Sequence, residues 1–437
     1  MSIDSLLQVV AEWIEEVTLP KLIPRNIAPL GLERLRDILA IVGPRRAGKT
    51  FLMYQLVETL LQGGRWTKQD ILFVDFEDYR LKGFRAEDID TLFVAFNQLA
   101  GRHPTFLFFD EVQYLPDWNR VLRTLHNRGK FHIVVSGSNS KLLGREVATE
   151  LRGRYTDVLL LPFSFREVLD FRQVSHTPAL LHTPARGRIL QAFDDYLKEG
   201  GFPEVLIRET APEKRKLLQT YYNTIFYRDV LERFNIRAKT ILDGMMSYVV
   251  NTPSELFSIS AFEKQLRLKG VPGSKRTVAN YLRYLQEAFF VIANEKFSYS
   301  PRHRLMNPKK VYMADTGFLM LGTPFSENRG KVLENLVAIE FFRREQEMFY
   351  FKGKHECDFI LKEGTQPREA IQVCWELQPR NEKREIQGLM EAMVDLKLRK
   401  GRVLTYAQEE TRKIEGRTVS VYPVWKWLLS ETHTTEK

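Results

Sequence analysis

Predominantly apolar runs punctuate the first part of the chain at Ile38–Val42, Ile71–Phe76, 105–109, 131–135 and 157–161. Runs of this length bounded by polar residues predict buried strands. Between them, apolar residues recur at helical spacing over Thr50–Leu61, which stops at Gly63-Gly64, over Leu92–Leu99, and from Lys141 to Leu151. The first segment, Ser2–Val17, places Leu6, Leu7, Val10, Ile14 and Val17 on one face and predicts an amphipathic helix packed on the body. Alternating strands and helices predict a doubly wound α/β sheet that binds its ligand at the carboxyl ends of the strands.

Beyond Pro162 the pattern becomes helical to about Val250, with segments at Phe163–Phe171 and Ile189–Glu199 and a break at Gly200-Gly201-Phe202-Pro203. Ser258–Leu268 and Ser274–Phe289 then predict two helices around a Gly270–Gly273 turn, followed by two short strands that flank the basic segment Tyr299–Lys310. A helix over Val332–Glu345, strands at Met348–Phe351, Glu356–Leu361 and Ala370–Trp375, a helix over Lys383–Leu398 and strands at Arg402–Tyr406 and Val419–Val424 complete the pattern. The expected domains are 1–161, 162–250, 251–325 and 326–430, with a polar tail at 431–437.

Composition narrows the classes. A chain of 437 residues with 44% hydrophobic and 27% charged residues has the make-up of a globular protein of two or three domains. No window reaches the roughly 18 uncharged apolar residues of a membrane span, so no membrane partner is expected. Ser2–Val17 lacks a basic leader and carries four acids, so it does not read as a secretory signal. Two cysteines, Cys357 and Cys374, and eight scattered histidines suggest neither disulfides nor a zinc site and point to a reducing, cytoplasmic setting. The net charge of +10 is concentrated: Phe262–Lys310 holds eleven Lys or Arg against three Glu, a net +8.

The candidate chemistry begins directly after the first strand, at Gly43-Pro44-Arg45-Arg46-Ala47-Gly48-Lys49-Thr50. This is the phosphate-binding loop pattern in its required strand–loop–helix context, and it predicts a nucleoside triphosphatase. Glycines turn backbone N–H groups onto phosphate, the helix N-terminus attracts anions, Lys49 adds a point charge and the Thr50 hydroxyl can ligate Mg²⁺. Gly43, Pro44, Arg45, Arg46, Ala47, Gly48, Lys49, Thr50 and Phe51 are the expected nucleotide-binding residues. The 105–109 strand ends in Asp110-Glu111, where Asp110 would hold Mg²⁺ through water and Glu111 would activate the attacking water. Asp75 ends an earlier strand but lacks the adjacent acid, so Asp110 is preferred. Ser136 or Ser138, at the tip of the next strand, is the expected γ-phosphate sensor, with a helix N-cap as the alternative role.

Asn280, Arg276 and Arg283 share the face of Ser274–Phe289 opposite Val278, Tyr281, Leu282 and Leu285. Helix, turn, helix and basic hairpin predict a winged helix whose second helix enters the DNA major groove and whose wing touches phosphate. Lys275, Arg276, Asn280, Arg283, Arg302, Arg304, Lys309 and Lys310 are the expected DNA-binding residues. A protein-interaction module is the alternative.

Taken together, the loop, the acid pair, the polar strand tip Ser136-Gly137-Ser138-Asn139 and Arg152-Gly153-Arg154 resemble the AAA+ superfamily. More narrowly, with Leu161-Pro162-Phe163-Ser164-Phe165-Arg166-Glu167-Val168 they resemble prokaryotic AAA ATPases that carry a C-terminal domain of unknown function. The resemblance implies an ATP/ADP-binding, Mg²⁺-dependent ATPase core with a helical lid, a winged helix and a nuclease-like end. It also implies a Gly-Gly-x-Pro turn near the nucleotide, and an arginine finger, Arg154 or failing it Arg152, that acts in a neighbouring subunit. The last point implies a homo-oligomer such as a ring. The strand and helix order after Val332 resembles the PD-(D/E)xK nuclease fold, in which Glu334 and Asp358 would be metal-binding acids. At the E-x-K position the chain reads Gln372-Val373-Cys374, which lacks both the carboxylate and the lysine. A dead or repurposed nuclease fold is therefore expected, with Lys352, Lys354 or Glu376 as compensating groups if activity survives. The alternatives to a DNA-coupled ATPase are a slow nucleotide switch that recruits a protein and an ATP-regulated nuclease.

Overall fold

The computed structural model describes residues 1–27, 31–138, 153–177, 179, 183–184, 186–322 and 329–430. Arg152, the helix expected over Lys141–Leu151 and the 431–437 tail lie outside them. The chain divides into two units at Leu161/Pro162.

In the first unit, strands β1 (Ile38–Val42), β2 (Ile71–Asp75), β3 (Phe106–Asp110), β4 (His132–Gly137) and β5 (Tyr155–Leu159) form one parallel sheet in the order β2-β3-β4-β1-β5. The four apolar residues before Asp110 and all five of β1 are buried, as a parallel sheet covered on both faces requires. β4 lies between β1 and β3, so the loop after β1 and the acids ending β3 emerge on either side of one strand tip. The helix Ile3–Ala11 and the turn after it bury Leu6, Val9, Val10, Trp13 and Ile14. Trp13 stacks on Phe73 at 5.0 Å and donates its indole N–H to the Ile71 carbonyl at 2.6 Å.

The second unit is built on nine strands: β6 (Glu255–Phe257), β7 (Val291–Lys296), β8 (Lys309–Met313), β9 (Glu347–Lys352), β10 (Glu356–Glu363), β11 (Gln366–Val373), β12 (Lys400–Thr405), β13 (Glu410–Ile414) and β14 (Arg417–Pro423). They form one sheet in the order β13-β14-β12-β11-β10-β9-β7-β8-β6. The basic segment and the C-terminal strands are thus joined through a parallel β7–β9 pair. β6, β8 and β7 run antiparallel beside the helices Lys239–Asn251, Ile259–Leu268 and Lys275–Glu287, which share an apolar core including Met245, Phe262, Val278 and Leu282. The segment between β7 and β8 is not an open hairpin. Pro301 at the first helical position and Ser300, which accepts the His303 amide, start a short helix over Pro301–Met306.

A buried carboxylate ties the helical region to the rest of this unit. Asp315 accepts the amides of Gly201 and Gly317, each at 2.8 Å. Gly200 has φ +73°, and a Cβ there would lie 1.8 Å from the Asp315 carboxylate oxygen, so that turn admits only glycine.

Candidate functional site: the phosphate loop and the acid pair

Gly43 leaves β1 so close to the neighbouring chain that a Cβ would sit 1.9 Å from the Leu160 carbonyl oxygen. The loop then turns through Arg46 (φ 67°) and Gly48 (φ 97°), both left-handed, into the helix Lys49–Gln62. Lys49 is buried. Its ammonium lies 3.3 Å from a Glu111 carboxylate oxygen and donates to the carbonyls of Gly43 and Pro44 at 3.3 and 3.2 Å.

The Thr50 hydroxyl donates to Asp110 at 2.5 Å, and Ser136 donates to the other Asp110 oxygen. Ser136 also accepts the Glu111 amide at 3.0 Å. Its hydroxyl therefore orients the two acids, a positioning role. Ser138 is buried and accepts from Gln113, whose amide also donates to Glu111. Arg45 donates to the Tyr114 hydroxyl at 2.6 Å and pairs with Glu77 at 3.3 Å, while Phe51 is half exposed beside the loop. Asp75 stands in register with Asp110, and desolvation pushes its carboxyl up to about 6, with Asp110, Glu77 and Glu111 adding to the rise.

The acid pair is electrostatically split. Burial, and next the Glu111 charge, raise the Asp110 carboxyl. Burial alone would raise Glu111 as well, but Lys49, Gln113 and Arg45 outweigh it and hold its pKa at about 2. Glu111 itself has φ 48°, a left-handed backbone uncommon for a non-glycine residue, and its carboxylate meets Lys49. A hydroxyl and a carboxylate in direct contact form a hard-oxygen pair that fits Mg²⁺, which takes few protein ligands and completes its shell with phosphate and water.

Two groups at this site escaped sequence reading. Arg25 is buried and donates to the carbonyls of Ala47 and Leu161, each at 2.7 Å, bracing the phosphate loop from behind. Gln113 links Glu111 to Ser138. Arg154 precedes β5, and its carbonyl accepts the amide of Ile38 at the amino end of β1. With Val42 paired to Leu159, Arg154 lies five residues from the loop end of β5, roughly 16 Å along the strand.

Residues 35–169 match the model of the AAA domain, and residues 190–328 that of a domain of unknown function (DUF8612). Over 404 residues, spanning 90% of this chain and 88% of the other, the sequence is 33% identical to uncharacterized protein MJ1544 of Methanocaldococcus jannaschii. The chain belongs with that protein to one family of P-loop AAA-domain proteins. A Haemophilus influenzae relative, also an uncharacterized protein, is 27% identical over 90% of this chain and 94% of its own length. Among solved structures, the Walker-type ATPase paby2304 of Pyrococcus abyssi matches 66% of this chain and 91% of its own at 16% identity and a TM-score of 0.43. No described helix of this AAA-domain protein is long and apolar enough to cross a membrane.

In its second unit, Lys275, Arg276 and Arg283 are exposed and Asn280 is half-buried on the helix Lys275–Glu287. Arg302 is exposed on the short helix, whereas Arg304 lies over the Phe349 ring. Lys309 pairs with Glu295 at 2.5 Å. Lys310 corrects the expectation of a phosphate contact. It is 1% exposed and its ammonium is bound by Glu334, Glu356 and Asp358 at 2.7–2.8 Å, so it is unavailable to DNA.

Those acids surround a cleft of about 580 Å³. Gln372 accepts the Asp358 amide at 3.3 Å and donates to Glu385 at 2.7 Å. Cys374 is buried, and burial raises its thiol pKa so that it stays neutral. Lys352 pairs with Glu356 at 3.2 Å. Glu376 accepts from Gln378 at 2.6 Å.

Proposed function

We propose that this protein is a Mg²⁺-dependent ATPase that couples its nucleotide state to DNA engagement by the basic helices of its second unit. The observation that carries the reading is the joining of Lys49 to Glu111 and of Thr50 to Asp110, which gathers a phosphate cation, a metal-binding pair and a general base across the tip of β4, between the ends of β1 and β3. Lys49 and the backbone amides of residues 43–50 bind the β- and γ-phosphates. Thr50 and Asp110 hold Mg²⁺, which when bound neutralises charge on the phosphate oxygens. Glu111 takes the proton of the water that attacks the γ-phosphorus as the bond to the β–γ bridging oxygen breaks. Gln113 and Ser138 hold Glu111 in place, and Ser136 aligns Asp110.

Arg154 lies at the opposite end of the sheet from its own phosphate loop. It cannot serve that loop, which supports its use on a neighbouring subunit and hence a homo-oligomer such as a ring. Such a finger contributes on the order of 10³ to 10⁵ in turnover. Arg152 is the second candidate for the same role.

DNA binding is supported by the helix order 239–251, 259–268, 275–287 beside the β7-β8-β6 end of the nine-stranded sheet, an arrangement similar to a winged helix. In this reading Lys275, Arg276, Asn280 and Arg283 enter the major groove, while Arg302, Arg304 and Lys309 lie near phosphate. The helical stretch 162–250 serves as the lid, 326–430 is a repurposed nuclease-like fold, and the cytoplasm is the proposed setting.

A salt titration tests the DNA reading. Binding of the 437-residue chain to duplex DNA should weaken on the order of 10³-fold between 50 and 200 mM salt if about six phosphates are contacted. Arg276→Glu with Arg283→Glu should abolish it while ATP hydrolysis persists. Retained binding would remove this helix from the interface. One observation favours a switch that recruits a protein instead. Leu305 and Met306, 70% and 74% exposed, put apolar surface on the short helix beside the basic residues. Slow turnover indifferent to DNA would support that second reading.

A further inference from the structure

The resemblance to a metal-dependent nuclease fold places a divalent cation among Glu334, Asp358 and the residue at 372. The side chains present do not fit one. The ammonium of Lys310 lies 2.7 Å from Glu334, 2.7 Å from Asp358 and 2.8 Å from Glu356, so its three N–H groups match three carboxylates. The remaining carboxylate oxygens have donors of their own. Asp358 accepts the Val373 amide at 2.9 Å, Glu334 receives Lys331 at 3.4 Å, and Glu356 receives Lys352 at 3.2 Å. Tyr312 adds its hydroxyl to Glu334 at 2.9 Å. Three carboxylates thus face three ammonium groups.

The backbone explains why this lysine arrives here. Lys310 and Tyr312 are two residues apart on β8 and point to the same face of the sheet. Asn335 clamps the helix Arg329–Arg343 onto that strand by exchanging hydrogen bonds with the Met313 amide and carbonyl, at 2.8 and 2.9 Å. This places Glu334 directly over Lys310. The lysine comes from the basic segment rather than from the helix Arg329–Arg343 and the strand β10 that carry the acids.

We propose that the Lys310 ammonium is the resident cation of this cluster, standing where a divalent metal would bind, and that the cleft works without metal. The cluster then joins the basic region to the C-terminal strands by charge, and phosphodiester cleavage by a bound metal is not its chemistry. The proposal goes beyond the ATPase reading and is independent of it.

The test is Mn²⁺ binding to the 437-residue chain without nucleotide, read by loss of the free-ion electron paramagnetic resonance signal. Wild type and Asp358→Asn should bind Mn²⁺ equally, whatever the phosphate-loop site takes up. Lys310→Ala should gain one bound ion, lost again when Asp358→Asn is added, and Mn²⁺ should raise its thermal midpoint by more than it raises that of wild type. Ion binding by wild type that Asp358→Asn removes would overturn the proposal. So would Mn²⁺-dependent DNA cleavage lost on the same substitution, or a folded Lys310→Ala that gains no ion. If Lys310→Ala does not fold, the wild-type comparison with Asp358→Asn decides by itself.

Discussion

Lys49 and Glu111 are paired across 3.3 Å, so the cation expected to meet phosphate is held by the base expected to activate water. A γ-phosphate competing for Lys49 releases that base. The acid is then free to approach its ordinary pKa at the moment it is needed. Replacing Glu111 with Gln should therefore lower kcat by about 10² to 10⁴ while ATP still binds, because the amide cannot take the proton. Lys49→Ala should instead abolish measurable nucleotide binding. Equilibrium binding of a fluorescent ATP analogue separates the two effects.

The same pair carries a pH signature. Glu111 is held at about 2, below the ordinary 4.5 of the unfolded chain, so its contribution to stability is complete above about pH 4.5 and is lost as pH falls toward 2. The difference in thermal midpoint between wild type and Glu111→Gln should be constant from pH 9 to 5 and shrink below that range. A difference that changes near neutrality would contradict the pairing with Lys49.

Arg25 braces the phosphate loop through the Ala47 and Leu161 carbonyls. Hydrogen bonds from a charged donor contribute about 1.5–3 kcal/mol each, so Arg25→Ala should destabilise the first unit by a few kcal/mol and raise the Kd for ATP several-fold. Arg25→Lys should recover only part of this, because one ammonium lacks the planar fork that serves two separated carbonyls. Urea unfolding and ATP titration read the two losses.

Gly200→Ala should destabilise the second unit by about 2–5 kcal/mol, combining left-handed strain with a Cβ driven into the Asp315 carboxylate. Gly270, with φ +68° and nothing within 4 Å of its Cβ position, is the control for strain without collision. Thermal unfolding of the two variants should show the larger loss at Gly200.

The phosphate loop and the acid pair were legible because their chemistry depends on residue types at fixed short spacing. Gly43, Asp110 and Glu111 lie at the ends of strands that the apolar runs mark, and Gly48, Lys49 and Thr50 open the helix that follows the first of them. What stayed hidden depends on long-range geometry. Lys310 sits in a basic run and reads as a solvent-facing residue, yet its partners lie 24 to 48 positions downstream and fold over it. Arg25 belongs to an irregular stretch with no periodicity to show which way it points. Ser136 read as a phosphate sensor because its position at a strand tip was clear, while its commitment to Asp110 requires the register of β3 and β4. The three-residue strand β6 is too short to show alternation, and the helix over Pro301–Met306 was masked by the charge of its segment.

Steady-state ATP hydrolysis with and without duplex, forked and single-stranded DNA, using Glu111→Gln as the blank, tests the central claim most directly. The account expects Mg²⁺-dependent hydrolysis that rises when DNA is added and that the Arg276→Glu, Arg283→Glu protein carries out only at its DNA-free rate. Hydrolysis at one rate with every DNA would contradict the coupling, and no hydrolysis above the blank would contradict the ATPase itself.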